Sequence, residues 1–482
     1  MNVLCLSLEE LAQLSLNNLL RYETLQRACK SSIYKEKWAG INVDNIITYE
    51  DFSQLPYTTA NEVRQAMYEQ PIDQVLCGKV VHWFSTTGTT GLSKWLPYGR
   101  RDLEVFMKIR DRLYSMLPTE GELRLLTVTA PPPYSEDGLT ILNALRGMEK
   151  NNTLQGITIA LTQTDDEEIF NFTFDTKPNV MLAFPSLAAR LGEIIEETAP
   201  DAIKKQFSEH KTLKNLMLYL ITRVEKVHPK DLSKFRWGLF SGEPLDPYRE
   251  VLTKMYGLEP YEMYTFTEFM PPAVECRMHQ GMHIWLDICL PEIIPEEELK
   301  KEQADSTYVP KALPLWKAKN GQRGEYVLTT FGEALPLVRY RLGDLIEIVG
   351  MEPCSCGITH PRIKVPRQAD ISIVSLGAIR FPFKQLEEKA LSKTSHGQAK
   401  RWQLEIRREG HRPQLTIRLE PDLEISSREL FTEEIARKVQ EIDVIKTGLE
   451  NKILAKPRVI VEGLLLKGKQ ATCNGFIIFE GE

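Results

Sequence analysis

Eleven residues from Phe84 to Lys94 read FSTTGTTGLSK, and six of them are Thr or Gly. Gly88 and Gly91 permit backbone turns that a Cβ resists. Several N–H groups can then converge on one anion. The hydroxyls of Ser85, Thr86, Thr87, Thr89 and Thr90 add donors, and Lys94 adds a positive charge. The chemistry this suits is phosphate binding. It is not a Walker loop, because Gly91 is followed by Leu92 where that motif has Lys. Taken alone, the stretch fits a ligand-free polar loop equally well.

A second group could hold a metal. Cys354 and Cys356 form a C-x-C pair followed by Gly357, and Cys276 lies upstream with His279 and His283. Two thiolates on a tight turn plus a Cys/His pair from another loop supply four soft or borderline ligands, which suits tetrahedral Zn²⁺. The alternative is a set of buried free thiols.

The elements that must position these residues are those of a large globular chain. Its 482 residues are 42% hydrophobic and 26% charged, with a formal net charge of -6. That length suggests two to four structural units. No basic block marks a nucleic-acid partner. No apolar run approaches the ~20 residues that span a bilayer, and Glu9 and Glu10 fall too early for a signal peptide. The expectation is a cytoplasmic protein that meets neither membrane nor nucleic acid, with its 8 cysteines reduced or metal-bound.

Strand-length apolar runs alternate with helical patterns: KVVHWF, RLLTVTA, GITIAL, NVMLAF and KFRWGLF, with RRDLEVFMKIRDRLYSML and PSLAARLGEIIEETA between them. This predicts an α/β fold with buried strands. RGEYVLTTF and DLIEIVG predict strands of a smaller β unit. A Pro-containing linker is expected near Pro361 to Pro366. Beyond it, DISIVSL, PFKQLEEKALSK, the hairpin RWQLEIRRE–GHRP–QLTIRLE, a helix with Phe431, Ile435, Val439 and Ile442 on one face, and RVIVEGLLL predict a small split-βαβ domain. The expected division is a large domain over 1–366 and a mobile α+β domain over 367–482.

Four more segments stand in order after the loop: GEP (Gly242, Glu243, Pro244), YTFTE (Tyr264 to Glu268), YRLGD (Tyr340 to Asp344) and KGKQ (Lys467 to Gln470). Together they resemble the adenylate-forming superfamily of acyl-CoA ligases. Thr86 to Lys94 matches its S/T-S/T-G-T-T-G-x-x-K pattern in full. IYKEKWAGINVDNIITYEDFSQLPYTT, ECRMHQGMHIWLDICLPEII, GEALPLVRYRLGDL and EPCSCGITHPRI are similar to the phenylacetate–CoA ligase branch. The likeness weakens after Arg362. VPRQADISIVSLGAIRFP stands where that branch has a G-R-x-D-D hinge and a G-V-N-V-F-P segment, so the thiol-acceptor contacts around Gly377 differ.

The resemblance implies an AMP-forming acid–thiol ligase. A carboxylic acid, aromatic or otherwise small, attacks the α-phosphate of ATP, pyrophosphate leaves, and the acyl-adenylate passes to coenzyme A. The acceptor could instead be a carrier-protein thiol or an amine, and a nucleotide-binding regulator without turnover is the reading from another class. By resemblance the Ser85–Lys94 loop and Gly242–Pro244 bind ATP, Glu268 faces Mg²⁺, and Thr267 lies near the α-phosphate. Tyr264 stacks on adenine, and beside it Thr265 replaces a common Gly. Asp344 takes the ribose hydroxyls, with Arg367 as the hinge arginine. Lys469, or Lys467 two residues before it, enters the site for adenylation. Family positions favour Cys276, His283, Cys354 and Cys356 as the zinc set. A homodimer is compatible with this reading.

Overall fold

The computed structural model describes residues 2–85, 94–118, 123–128, 155–159, 176–209, 219–220, 226–368, 373–376, 379–382, 386–391, 394–396, 399–421, 427–461 and 477–479. The loop from Thr86 to Ser93, Gly377, Lys467 and Lys469 lie outside them. The chain divides into two units. The first comprises Met1–Glu122, Pro132–Leu154 and Tyr261–Asp370, and the second Leu123–Pro131, Gln155–Pro260 and Ile371–Glu482. Among the described residues no helix is long and apolar enough to cross a membrane.

The first unit begins with short helices that the sequence caps itself. Ser7 Oγ accepts from Glu10 N at 3.2 Å while Glu10 accepts from Ser7 N at 2.7 Å, so the helix Leu8–Arg21 starts with a capping box. Thr59 and Glu62 repeat the device at Ala60–Glu69. Numbered in chain order, β1 (Thr58–Thr59) lies parallel to β14 (Tyr340–Gly350). A separate hairpin pairs β2 (His82–Ser85) with β3 (Trp95–Tyr98), and the helix Arg100–Met116 follows it. The main sheet is antiparallel. It contains β8 (Glu259–Phe266), β9 (Phe269–Glu275), β10 (Met282–Ile284), β11 (Cys289–Pro295), β12 (Leu313–Pro314), β13 (Arg323–Thr330), β14 and β15 (Arg362–Gln368). Their order is β12-β11-β13-β14-β15-β10-β9-β8.

The Pro361–Pro366 stretch, expected as a linker, is therefore sheet from Arg362 onward. β15 pairs with both β14 and β10. Its register shifts between Lys364 and Arg367, a bulge that accommodates Pro366, which has no N–H to donate.

A buried ion pair ties the N-terminal helices to this sheet. Arg339, 4% exposed, reaches Glu292, 0% exposed, at 3.2 Å. Tyr49 donates to Glu292 at 2.8 Å, Arg339 Nη1 donates to the Leu55 carbonyl at 2.6 Å, and its guanidinium lies 4.2 Å from the Tyr57 ring centroid. Arg339 adopts φ +46°, a conformation that costs a non-glycine residue energy. The side-chain contacts hold it there, one residue before the strand that carries Tyr340 and Asp344.

In the second unit β4 (Arg124–Val128), β5 (Gln155–Ile159), β6 (Val180–Ala183) and β7 (Trp237–Phe240) form a parallel sheet in the order β5-β4-β6-β7. The helices Pro185–Glu209 and Arg249–Tyr256 pack on it through Ile195, Leu252 and Tyr256. The C-terminal part has its own core. β18 (Ala399–Glu409), β19 (Arg412–Pro421), β20 (Ala455–Val461) and β21 (Ile477–Phe479) pair in the order β20-β19-β18-β21. The helix Arg428–Gln440 lays Phe431, Ile435 and Val439 on that sheet's core, as its spacing predicts, and Ile442 is buried with them. The strand expected in DISIVSL departs from the split-βαβ reading. β16 (Ile373–Leu376) pairs with β17 (Ile379–Pro382) and stays out of the four-stranded sheet. Two short strands joined by two residues pair locally because closing so short a loop costs little entropy.

Substituting Arg339→Met should lower unfolding free energy by about 3–5 kcal/mol, because it strands a buried carboxylate. Urea denaturation checks this. A loss below about 1 kcal/mol would mean that the pair does not anchor the helices.

Candidate active site

Three stretches of the first unit converge. Lys94 opens β3. Thr267 and Glu268 form the two-residue turn between β8 and β9, where Phe266 pairs with Phe269. Tyr340 begins β14. Lys94 Nζ contacts Glu268 Oε1 and lies 3.0 Å from Tyr340 Oη, and Tyr340 donates to the same Glu268 oxygen at 2.7 Å. The Lys94 and Glu268 side chains are 13% and 5% exposed. Tyr98, four residues beyond Lys94, donates to the Thr267 carbonyl at 2.7 Å and so fixes the hairpin turn.

Asp344 is aimed by a bulge. Val327 pairs with Arg341 and Glu325 with Leu345, so the Leu342–Asp344 stretch bows outward opposite Tyr326. Gly343 makes this possible with φ +77°. Tyr264 donates to Asp344 Oδ2 at 2.5 Å, and its ring lies 5.2 Å from Phe266 and 6.3 Å from Tyr326. Thr265, partly exposed, stands between the two aromatics in the chain. Arg367 lies on β15 opposite Leu345, next to the Asp344–Gln368 pair.

The electrostatics follow from burial. Burial raises the Glu268 carboxyl, but the Lys94 charge and the hydrogen bonds from Lys94 and Tyr340 outweigh it and hold the group below its ordinary value of 4.5. Burial, then the negative Asp344, raises Tyr264 well above 10, and the Glu268 charge adds to this. Burial, then Glu268, does the same for Tyr340. At neutral pH both phenols stay protonated and donate, and Glu268 is an anion beside a cation. Such a pair can open toward a polyanion, with the ammonium turning to phosphate oxygens and the carboxylate to a metal.

Tyr340 and Tyr98 are participants that sequence reasoning left without a role. Tyr340 heads the YRLGD motif, and Tyr98 lies two strand periods beyond Lys94. Spacing alone does not separate such tyrosines from core aromatics. Gly242, Glu243 and Pro244 belong to the second unit. There Gly242 turns with φ +85°, where a Cβ would collide with the Phe184 ring. Glu243, half-buried, accepts from Ser186 N at 2.8 Å. Ser85 ends β2, opposite Trp95.

Also in the first unit, the ligand atoms of Cys276, His283, Cys354 and Cys356 all lie within 4.8 Å of one another. Cys276 follows β9, His283 is in β10, and the two other thiols sit on a turn closed by Cys354 N donating to the Ile358 carbonyl at 2.9 Å. Cys276 and Cys354 sulfurs are 3.8 Å apart. A tetrahedron with metal–sulfur bonds of ~2.3 Å has sulfur–sulfur edges of about 3.8 Å. His283 Nδ1 lies 2.9 Å from the His360 carbonyl, which leaves Nε2 toward Cys356 at 3.3 Å. Burial pushes His283 down to about 4, so the ring is neutral, as a ligand must be. His279 is directed elsewhere, 3.3 Å from Glu275 and stacked on Tyr261. The donor set and its spacing fit zinc.

Over 98% of its length the chain superposes on a 2-hydroxyisobutyryl-CoA ligase in complex with 2-HIB-AMP and CoA, covering 90% of that chain with a TM-score of 0.64 at 20% identity. The chain shares the fold of that ligase. A second crystal structure of that enzyme, in the postadenylation state with 2-HIB-AMP, matches 96% of this chain and 88% of that one, with a TM-score of 0.55 at 20% identity. The GH3.15 acyl acid amido synthetase in complex with 2,4-DB matches 94% of this chain and 88% of that one, with a TM-score of 0.53 at 17% identity. No family model matches the sequence, and neither does any curated protein.

The Lys94–Glu268 contact makes a titration prediction. Because the folded-state pKa of Glu268 lies below its ordinary 4.5, the pair's stabilisation is present above that pH and is lost as pH falls through the folded value. In Lys94→Met the Lys94 charge and hydrogen bond are gone, the Tyr340 hydrogen bond remains, and the carboxyl should titrate higher than in the native chain. Carboxylate NMR titration checks both. An unchanged Glu268 pKa in the variant would refute the coupling.

Proposed function

We propose that the chain is an ATP-dependent, AMP-forming ligase of the phenylacetate–CoA ligase type, which activates an aromatic or other small carboxylic acid. The observation that carries the reading is that Lys94, Glu268 and Tyr340 meet at the β8–β9 turn and that Tyr264, at the end of β8, meets Asp344, all in the first unit. The adenylate-forming fold supports it. These residues offer one part for each moiety of ATP. Asp344 offers a carboxylate to the ribose hydroxyls, with Arg367 beside it in register, and Tyr264 offers a ring to the adenine. Thr267 stands by the α-phosphate. Lys94 and the hydroxyl loop from Ser85 through Thr86, Thr87, Gly88, Thr89, Thr90 and Gly91 take the outer phosphates. Gly242, Glu243 and Pro244, in the second unit, are nucleotide-binding residues by resemblance. Glu268 is the residue that would hold Mg²⁺, whose charge offsets that of the polyphosphate.

The barrier is set by negative charge building on the α-phosphate. Positioned donors lower it most, because they need no reorganisation as the charge develops. Lys469 is the proposed additional donor, with Lys467 as its neighbour, on a mobile domain over 367–482 that leaves for the second half-reaction. The acyl group then passes to coenzyme A. The likeness to an acyl acid amido synthetase supports a second reading, in which the acceptor is an amine. A carrier-protein thiol is the third acceptor that product analysis distinguishes. A cytoplasmic site of action accords with reduced thiols at the Cys276/His283/Cys354/Cys356 tetrad, which is proposed to hold structural Zn²⁺.

A panel of aryl and aliphatic acids tested for acid-dependent pyrophosphate–ATP exchange decides the reaction class. No exchange with any acid would leave a nucleotide-binding protein without turnover. In Asp344→Ala, two charge-assisted hydrogen bonds of about 1.5–3 kcal/mol each disappear. The KM for ATP should therefore rise by about a hundredfold or more with the KM for the acid little changed. An unchanged KM for ATP would remove the ribose role. Elemental analysis of the purified chain should find about one zinc per molecule, and a content well below one would end the zinc assignment.

A further inference from the structure

The C-terminal hairpin carries charge to a place that the proposed reaction does not use. β18 and β19 pair from Ala399–Pro421 to Glu409–Arg412, and Gly410 reverses the chain with φ +63°. The tip is thus a stiff arm that ends in Arg408, His411 and Arg412. Arg412 pairs with Glu193 in the middle of the helix Pro185–Glu209, and His411 Nε2 lies 3.2 Å from the other oxygen of the same carboxylate. Arg190 approaches Glu193 from its own helix at 3.3 Å. Arg408 lies 4.9 Å from the ring centroid of Tyr248, whose ring is 6.2 Å from His411. To one side, Lys452 holds both oxygens of Glu197 at 2.7 and 2.8 Å.

We propose that this hairpin tip is an electrostatic latch that docks the C-terminal sheet on the helix Pro185–Glu209, with Glu193 as its keeper.

Three observations carry it. The two bodies have separate cores, one built from residues between Leu126 and Leu258 and the other from residues between Leu376 and Val461. The contacts described between them are charged and aromatic, the character of an interface that can part. Glu193 is 13% exposed and cannot rely on water for its charge. Burial raises its carboxyl, but hydrogen bonds and charge from His411 and Arg412 bring it down to about 2. Withdrawal of the hairpin would leave that carboxylate with Arg190 alone. The latch also reaches the Gly242–Pro244 turn: burial raises the Glu243 carboxyl above its ordinary value, and the Ser186 hydrogen bonds and then the Arg408 charge offset this only in part. Docking and undocking therefore change the charge felt at a segment expected to hold nucleotide. The latch goes beyond the adenylation reading and does not depend on it.

The test is amide hydrogen exchange on the full chain in Glu193→Arg, Arg412→Glu and the double variant. Each single reversal sets like charges together and should speed exchange about tenfold over residues 190–197 and 245–248. The double reversal should restore protection to within about threefold of the native chain. Exchange in β13 and β14 should stay unchanged and serves as the folding control. Singles that exchange like the native chain, or a double variant as fast as the singles, would overturn the latch. If a reversal prevents folding, Glu193→Gln and the native chain in ~0.5 M salt replace it, since screening weakens such pairs. Both should then speed exchange in the same segments, and protection unchanged in both would overturn it. The readout uses neither ATP nor acid, so the two proposals fail independently.

Discussion

A cation and an anion share a nearly dry site at the β8–β9 turn, and much of the first unit is arranged so that they can. At contact distance, in an effective dielectric of about 20, Lys94 and Glu268 attract by roughly 4 kcal/mol. Removing each from water costs several kcal/mol. Attraction alone does not cover that cost. The hydrogen bond from Tyr340 helps to make the difference. A phenol held there needs a rigid strand, and β14 is rigid because β13, β15 and β1 flank it. The charged pair is thus held by groups of the first unit alone.

The same economy governs the surroundings. Arg339 answers Glu292 just before Tyr340, and the N-terminal helices thereby gain a fixed seat. Asp102 accepts from Gly99 N at 2.7 Å and from Glu333 N at 2.9 Å. One half-buried carboxylate so links the helix after β3 to the loop before β14. The cysteine turn works at the far ends of β10 and β14. Thr359, beyond that turn, donates its N–H to the Leu4 carbonyl at 2.9 Å. The chain's N-terminus is tied to the same edge. Positioning here rests on a few polar groups that are satisfied in pairs across long sequence separations.

Some departures from the sequence reading share a cause. Apolar runs announce that a segment is strand, but not which strand it joins. Ile373–Leu376 found the nearest partner, and the stretch from Arg362 to Pro366 entered a sheet through a bulge that periodicity cannot foresee. Tyr340 and Tyr98 were visible as residues and invisible as hydrogen-bond donors, since a tyrosine in a strand pattern reads as core.

Local chemistry was legible in the chain by itself. The glycines and hydroxyls of the 84–94 loop, the β18–β19 reversal, the capping boxes and the buried face of the Arg428–Gln440 helix all follow from steric and period rules that act within a few residues. The order of the motifs suggested a nucleotide chemistry before any contact was known. Tertiary structure alone decided which charges meet. Lys94 and Glu268 are 174 residues apart, and Glu193 and Arg412 are 219 apart. It decided equally that His283 faces the cysteines while His279 turns to Glu275. Such pairings depend on register and on which surfaces lose their water. Both are properties of the packed chain, and no short window of sequence contains them.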